Sequence, residues 1–163
     1  MSSGGVRIVP ATERDVPLIL EMIRALADYE RLAHEVVATE ERLHATLFGP
    51  KPAAEAVFAY DGEECAGFAL YFSTYSTFLA QSGIYLEDLY VKPEARGKGL
   101  GFALLRYLAK LAKTRNCGRL EWSVLNWNEP SIEFYKKLGA VPKAEWSMFQ
   151  LAGEALGKLA EGE

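Results

Sequence analysis

Little in this chain invites a covalent or metal cross-link. It has two cysteines, Cys65 and Cys117, and two histidines, His34 and His44, in 163 residues. The cysteines form no C-x-x-C pair and sit in apolar surroundings, so they read as reduced core residues rather than a disulfide. The histidines are ten apart, with no ligand spacing between them, which argues against a metal site. No apolar run approaches the roughly 18 residues of a membrane span. The leading MSSGGV lacks the charged and greasy regions of a signal peptide, so a cytoplasmic protein without membrane contact is expected. A net charge of −4 argues against general affinity for nucleic acid, although an acidic chain can still carry a local basic patch. Repeats, low-complexity runs and linkers are missing too. With half its residues hydrophobic and a quarter charged, the chain is expected to form one compact domain over 6–163, after a flexible tail at 1–5.

Periodicity gives the elements. VRIVPA reads as a first strand. Thr12 with Asp15 resembles a capping box, and Val16, Ile19, Leu20, Ile23, Leu26 and Ala27 recur at helical spacing, which predicts a helix over about 13–29. A second helix starts at the cap Thr39 and stops at Gly49. AEAVFAY and CAGFALYFSTY flank the turn DGEE as a hairpin, and GIYLEDLYV is the next strand. A long helix covers about 99–115, RLEWSVL is a strand, and NEPSIEFYKKLGA is a short helix with Pro130 near its start and Gly139 at its end. AEWSMFQLA is a candidate last strand and GEALGKLAE a terminal helical turn or two. The order β-α-α-β-β-β-α-β-α-β is that of a mixed α/β domain.

The strand-to-helix junction YVKPEARGKGLG stands out. It packs Gly97, Gly99 and Gly101 among Lys92, Arg96 and Lys98. Backbone N–H groups at a helix start lack partners inside the helix and, with the helix dipole, favour an anion. Glycines let such a guest come close. The P-loop string G-x-x-x-x-G-K-[ST] is absent. A dinucleotide fingerprint fails because its third glycine falls on Phe102 or on Leu104. What remains is R-x-x-G-x-G at Arg96, Gly99 and Gly101, a pattern similar to the pyrophosphate signature of the GNAT N-acetyltransferases. The alternative is a glycine-rich connection serving chain geometry alone.

The context extends this resemblance. YLEDLYVKPEARGKGLG followed by NWNEPSIEFYKKLGA, with RALADYERL near the start and AEWSMFQL near the end, resembles the spermidine/spermine (diamine) acetyltransferases and their relatives that acetylate thialysine. That likeness implies the GNAT fold, an α/β arrangement with a mixed central sheet of six to seven strands and helices on both faces. It implies acetyl-CoA as cosubstrate, no metal, a small cationic amine as acceptor and a homodimer. Residue by residue, it implies that Leu89, Tyr90 and Val91 run beside the pantetheine arm. Arg96, Gly97, Lys98, Gly99, Leu100, Gly101 and Phe102 wrap the pyrophosphate. Asn128, Glu129, Pro130, Ser131 and Tyr135 line the far side of the cosubstrate. Tyr29, Glu30, Glu87, Glu121, Trp122, Ser123, Glu145 and Trp146 match parts of the amine channel. The loop before Trp146 is about one residue short, which leaves the role of Glu145 open.

Under the same resemblance Glu87 takes a proton from the ammonium and Tyr135 gives one to the departing thiolate. Transfer is direct, since neither cysteine lies in a stretch that reaches the thioester. Blander readings stand beside these. Tyr135 next to Phe134 is also what a packing tyrosine looks like, and Trp122, Trp127 and Trp146 also suit a core. Because side chains alternate along a strand, Glu87 is expected in the cleft and Asp88 in a structural role. Diamines or polyamines such as spermidine, spermine and putrescine are the first expectation for the acceptor, with thialysine or another lysine-like amine as the alternative. A non-catalytic acyl-CoA-binding module is the alternative from another class.

Overall fold

The computed structural model describes residues 5–162. They fall into two compact units, one ending at Leu125 and the other beginning at Asn126.

The first unit is built on a sheet whose strands β1 (Val6–Pro10), β2 (Glu55–Asp61), β3 (Glu64–Ser76), β4 (Gln81–Val91) and β5 (Leu120–Trp122) lie side by side in that order. The first three pairings are antiparallel and β4–β5 is parallel. A parallel neighbour needs a crossover. Helix α3 (Leu100–Thr114) supplies it. Helices α1 (Val16–Tyr29) and α2 (Glu40–Phe48) precede the hairpin. The Asp15 carboxylate accepts from the Thr12 N–H (2.7 Å) and hydroxyl (3.1 Å), so the expected capping box forms. Its first turn is 3-10, and the α-helix proper starts at Val16.

Period-2 alternation divides the strands between two cores. Ala56, Phe58, Phe68, Leu70 and Tyr90 pack with Val16, Ile19, Leu20, Met22 and Leu26 of α1 and with Leu43 and Leu47 of α2. Val57, Ala59, Ala69, Tyr71, Ile84 and Leu86 are buried outside that cluster, as are Leu100, Leu104, Leu105 and Leu108 of α3. Helices therefore cover both faces of the mixed sheet.

The expected six to seven strands are corrected to five. RLEWSVL contributes only Leu120–Trp122, and no later strand forms among the described residues. In AEWSMFQLA the Trp146 N–H donates to the Lys143 carbonyl at 3.1 Å, closing a turn, and Met148 and Phe149 stay exposed. Alternating apolar residues make a strand only when a neighbour offers a ladder.

The second unit holds α4 (Glu129–Lys137) and α5 (Gly153–Glu161). Pro130 stands in the first turn of α4, and Gly139, at φ +92°, follows its end as expected.

Candidate active site

The C-terminal half of β4 departs from a regular strand. On the β3 side Leu86 faces Tyr71 while Asp88 faces Leu70, so Glu87 is the extra residue of a β-bulge. The bulge changes which face each side chain meets. Leu86 lies opposite Tyr71, outside the α1/α2 core, whereas Tyr90, four residues on, lies inside it. Asp88, opposite the core residue Leu70, is turned towards the α1 side as well. On its other edge β4 pairs with β5 only at Ile84, Tyr85 and Leu86. Among the described residues no strand pairs with 87–91 on that side.

Three carboxylates gather at the bulge. Glu30 directly follows α1, and its proton affinity is raised by burial and then by the charge of Glu87. Asp88 shows the larger effect. Burial first, then Glu87, then Glu30 push its carboxyl up to about 7. Glu87 itself is exposed. Sequence reasoning gave Asp88 a structural role. The only signal for its setting was the doublet Glu87–Asp88 next to a buried run, and the bulge that separates the pair is set by the partner strand.

Beyond Val91 the chain makes a 3-10 turn at Pro93–Ala95 and enters the glycine loop. Gly97 and Gly99 have φ +80° and +83°, and no atom lies within 4 Å of a Cβ built on either. Gly99 caps α3. The first bond from the helix amides is Ala103 N–H to the Gly99 carbonyl, at 2.9 Å. The Leu100, Gly101 and Phe102 amides precede it, as the open first turn of any helix requires. Gly101 sits against β4, with a Cβ position 3.9 Å from Val91 Cγ2. Lys98 Nζ stands 3.6 Å from Asp61 Oδ2 in an exposed pair. Arg96 points back towards the sheet. Its Nε donates to the Val91 carbonyl at 3.0 Å, and its guanidinium carbon lies 4.7 Å from the Tyr29 ring centroid and 5.7 Å from that of Tyr90.

On the β5 side, Glu121 pairs with Arg119 at 2.9 Å and the Ser123 hydroxyl lies 2.6 Å from the Tyr85 hydroxyl. Trp122 is half-buried. Cys65 is a free, half-buried thiol on β3 whose pKa burial raises, and Cys117 is free as well. No group of three or more His, Cys, Asp or Glu side chains, the bulge carboxylates included, is arranged to hold a metal ion among the described residues, and no helix there is long and apolar enough to cross a membrane.

In the second unit, Asn128 is buried and its Oδ1 accepts from the Ser131 N–H at 3.4 Å, capping α4 over Glu129 and Pro130. Tyr135 lies in the second turn of α4, its ring 5.7 Å from that of Phe134. Glu145 pairs with Lys143 at 2.9 Å, which holds its carboxyl below the usual range. Trp146 is exposed.

Residues 20–140 match the Acetyltransferase (GNAT) family, a span that crosses the Leu125–Asn126 boundary. The chain belongs to that family. GNAT acetyltransferases use acetyl-CoA as cosubstrate, and this member is an amine N-acetyltransferase. It is 40% identical over 166 residues to a thialysine N-epsilon-acetyltransferase of Sus scrofa, covering 95% of this chain and 97% of that one. It is 31% identical over 152 residues to spermidine/spermine N(1)-acetyltransferase-like protein 1 of Homo sapiens, covering 87% of this chain and 22% of that one. Among solved structures, an integron cassette protein of V. cholerae superposes with a TM-score of 0.79 at 28% identity, over 96% of this chain and 98% of that one.

Proposed function

We propose that this GNAT enzyme acetylates the side-chain amine of a thialysine-like or lysine-like amino acid, with diamines as poorer acceptors. The 40% identity to a thialysine acetyltransferase over nearly the whole of both chains carries that preference. The chemistry common to both acceptor classes rests on the bulge and the glycine loop.

The loop fits a diphosphate. Two left-handed glycines remove the side chains that would block approach, and the Leu100, Gly101 and Phe102 amides begin a 15-residue helix with its dipole behind them. The backbone of Leu89–Val91, beyond the end of the β5 ladder, is the edge for the pantetheine arm. Alanine at Gly99 meets no neighbour but must hold a left-handed conformation, which costs roughly 1–2 kcal/mol. Gly99→Ala is therefore expected to lower folding stability by about that amount, read as a lower melting temperature, and to weaken coenzyme A binding by calorimetry only as far as the loop relaxes out of this conformation.

The acceptor enters as an ammonium of pKa about 10.4, so fewer than ~1 in 1,000 molecules are nucleophilic at pH 7, a deficit of about 4–5 kcal/mol. Glu30, Glu87 and Asp88 hold the cation, and the Glu87–Asp88 pair takes one proton from it, directly or through a water. The freed lone pair attacks the thioester carbonyl carbon. Backbone N–H groups near Tyr90 and Val91 meet the charge that develops on oxygen. As the C–S bond breaks, the Tyr135 hydroxyl, in the role the family resemblance implies, protonates the leaving sulfur; the amine nitrogen gives its second proton to solvent, from which the phenolate is reprotonated, and no acyl-enzyme forms.

The test is thiol release from acetyl-CoA with a panel of amines. Thialysine, lysine or ornithine is expected to give kcat/KM at least tenfold above spermidine or putrescine. Turnover of polyamines alone would move the acceptor to the diamine class. Turnover only of peptide N-termini or an aminoglycoside would defeat both assignments. Binding of acetyl-CoA without thiol release from any amine would return the chain to a non-catalytic role.

A further inference from the structure

We infer that Arg96 is a positioning residue that clamps the end of α1 to the corner between β4 and α3, so that the cosubstrate loop and the carboxylate cluster are mechanically coupled. The inference rests on the reading of the glycine loop as the coenzyme A site. Arg96 stands beside Gly97, where the R-x-x-G-x-G pattern would aim a guanidinium at phosphate. Instead its Nε bonds the Val91 carbonyl at 3.0 Å and its guanidinium carbon lies over two rings, Tyr29 at 4.7 Å and Tyr90 at 5.7 Å. The two rings come from different elements. Tyr29 is the last residue of α1, and Tyr90 is a buried residue of β4 in the core that α1 shares. One step beyond Tyr29 is Glu30, which senses the charge of Glu87. A continuous path therefore runs from Gly97 through Arg96 and Tyr29 to Glu30 and the bulge.

The chemistry suits arginine. A planar guanidinium can stack on aromatic faces and still donate from Nε, whereas a lysine ammonium offers charge without a plane. The bond to Val91 also fixes the carbonyl at which the strand turns into the loop. If the clamp opens, that corner and the end of α1 loosen together.

Coenzyme A affinity of the full chain, measured by calorimetry, tests this, because Tyr29 lies on α1 and outside the phosphate loop. Tyr29→Leu and Arg96→Met are each expected to weaken binding at least fivefold, and the double variant no more than about twofold beyond the weaker single one. Tyr29→Phe keeps the ring and restores affinity to within twofold. Arg96→Lys, which keeps the charge a phosphate wants but loses the plane and the Nε bond, is expected to match Arg96→Met. It carries the test should the leucine variant fail to fold. Tyr29→Leu binding as tightly as the parent protein overturns the clamp, as does Arg96→Lys at parental affinity. Failure of the parent protein to bind coenzyme A at all would instead remove the loop assignment beneath it.

Discussion

Asp88→Asn is expected to lower kcat/KM for the amine at least a hundredfold at pH 7.5 and, at the same time, to raise the melting temperature at pH 8. The first effect is the loss of a proton acceptor, a role typically worth 10²–10⁴-fold. The second follows from the raised proton affinity. Asp88 is pushed to about 7 by burial and by Glu87 of β4 and Glu30 after α1. An unfolded aspartic acid titrates near 3.9. Between these two values the folded protein binds a proton that the unfolded chain has lost, so stability falls as pH rises from about 4 to about 7. Above that range the charged Asp88 costs folding on the order of a few kcal/mol, which asparagine avoids. The activity of the parent protein has the opposite slope. A protonated Asp88 cannot accept from the ammonium, so kcat/KM is expected to rise with pH through a limb near 7 that Asp88→Asn abolishes. A variant that keeps that limb and loses less than tenfold in rate would shift the base to Glu87, the residue the family resemblance favoured.

Tyr135→Phe is expected to slow turnover at least tenfold while coenzyme A affinity stays within twofold. A phenol of pKa about 10 is protonated at neutral pH and can donate to a sulfur whose thiol form is favoured below about 8.5. The substitution should leave α4 intact. The helix start is held by the Asn128 cap and Pro130, and its end by the Tyr135 carbonyl, which accepts from the Leu138 and Ala140 N–H groups at 3.1 Å. None of these needs the hydroxyl. Unchanged turnover would take Tyr135 out of the acid role.

Local chemistry makes much of this legible in the sequence itself. The capping box at Thr12, the apolar period of α1, Gly49 and Gly139 as stops and the strand–glycine–helix order of the loop all depend on near neighbours in sequence, and all appear where expected. Features set by distant partners were harder to read. Whether Glu87 or Asp88 turns inward depends on the register of β4 against Tyr71 and Leu70. The direction of Arg96 depends on the rings of Tyr29 on α1 and Tyr90 on β4, the first of them far away in sequence. The stretch 144–152 has the alternation of a strand, but a strand also requires a pairing edge, and none is supplied among the described residues.

Isothermal titration of coenzyme A into the parent protein is the decisive measurement, because each proposed catalytic role needs a diphosphate seated on the Gly97–Phe102 amides. Saturable uptake near one equivalent per chain is expected, with acetyl-CoA and coenzyme A competing for the same site. Well-folded protein that takes up neither would contradict it.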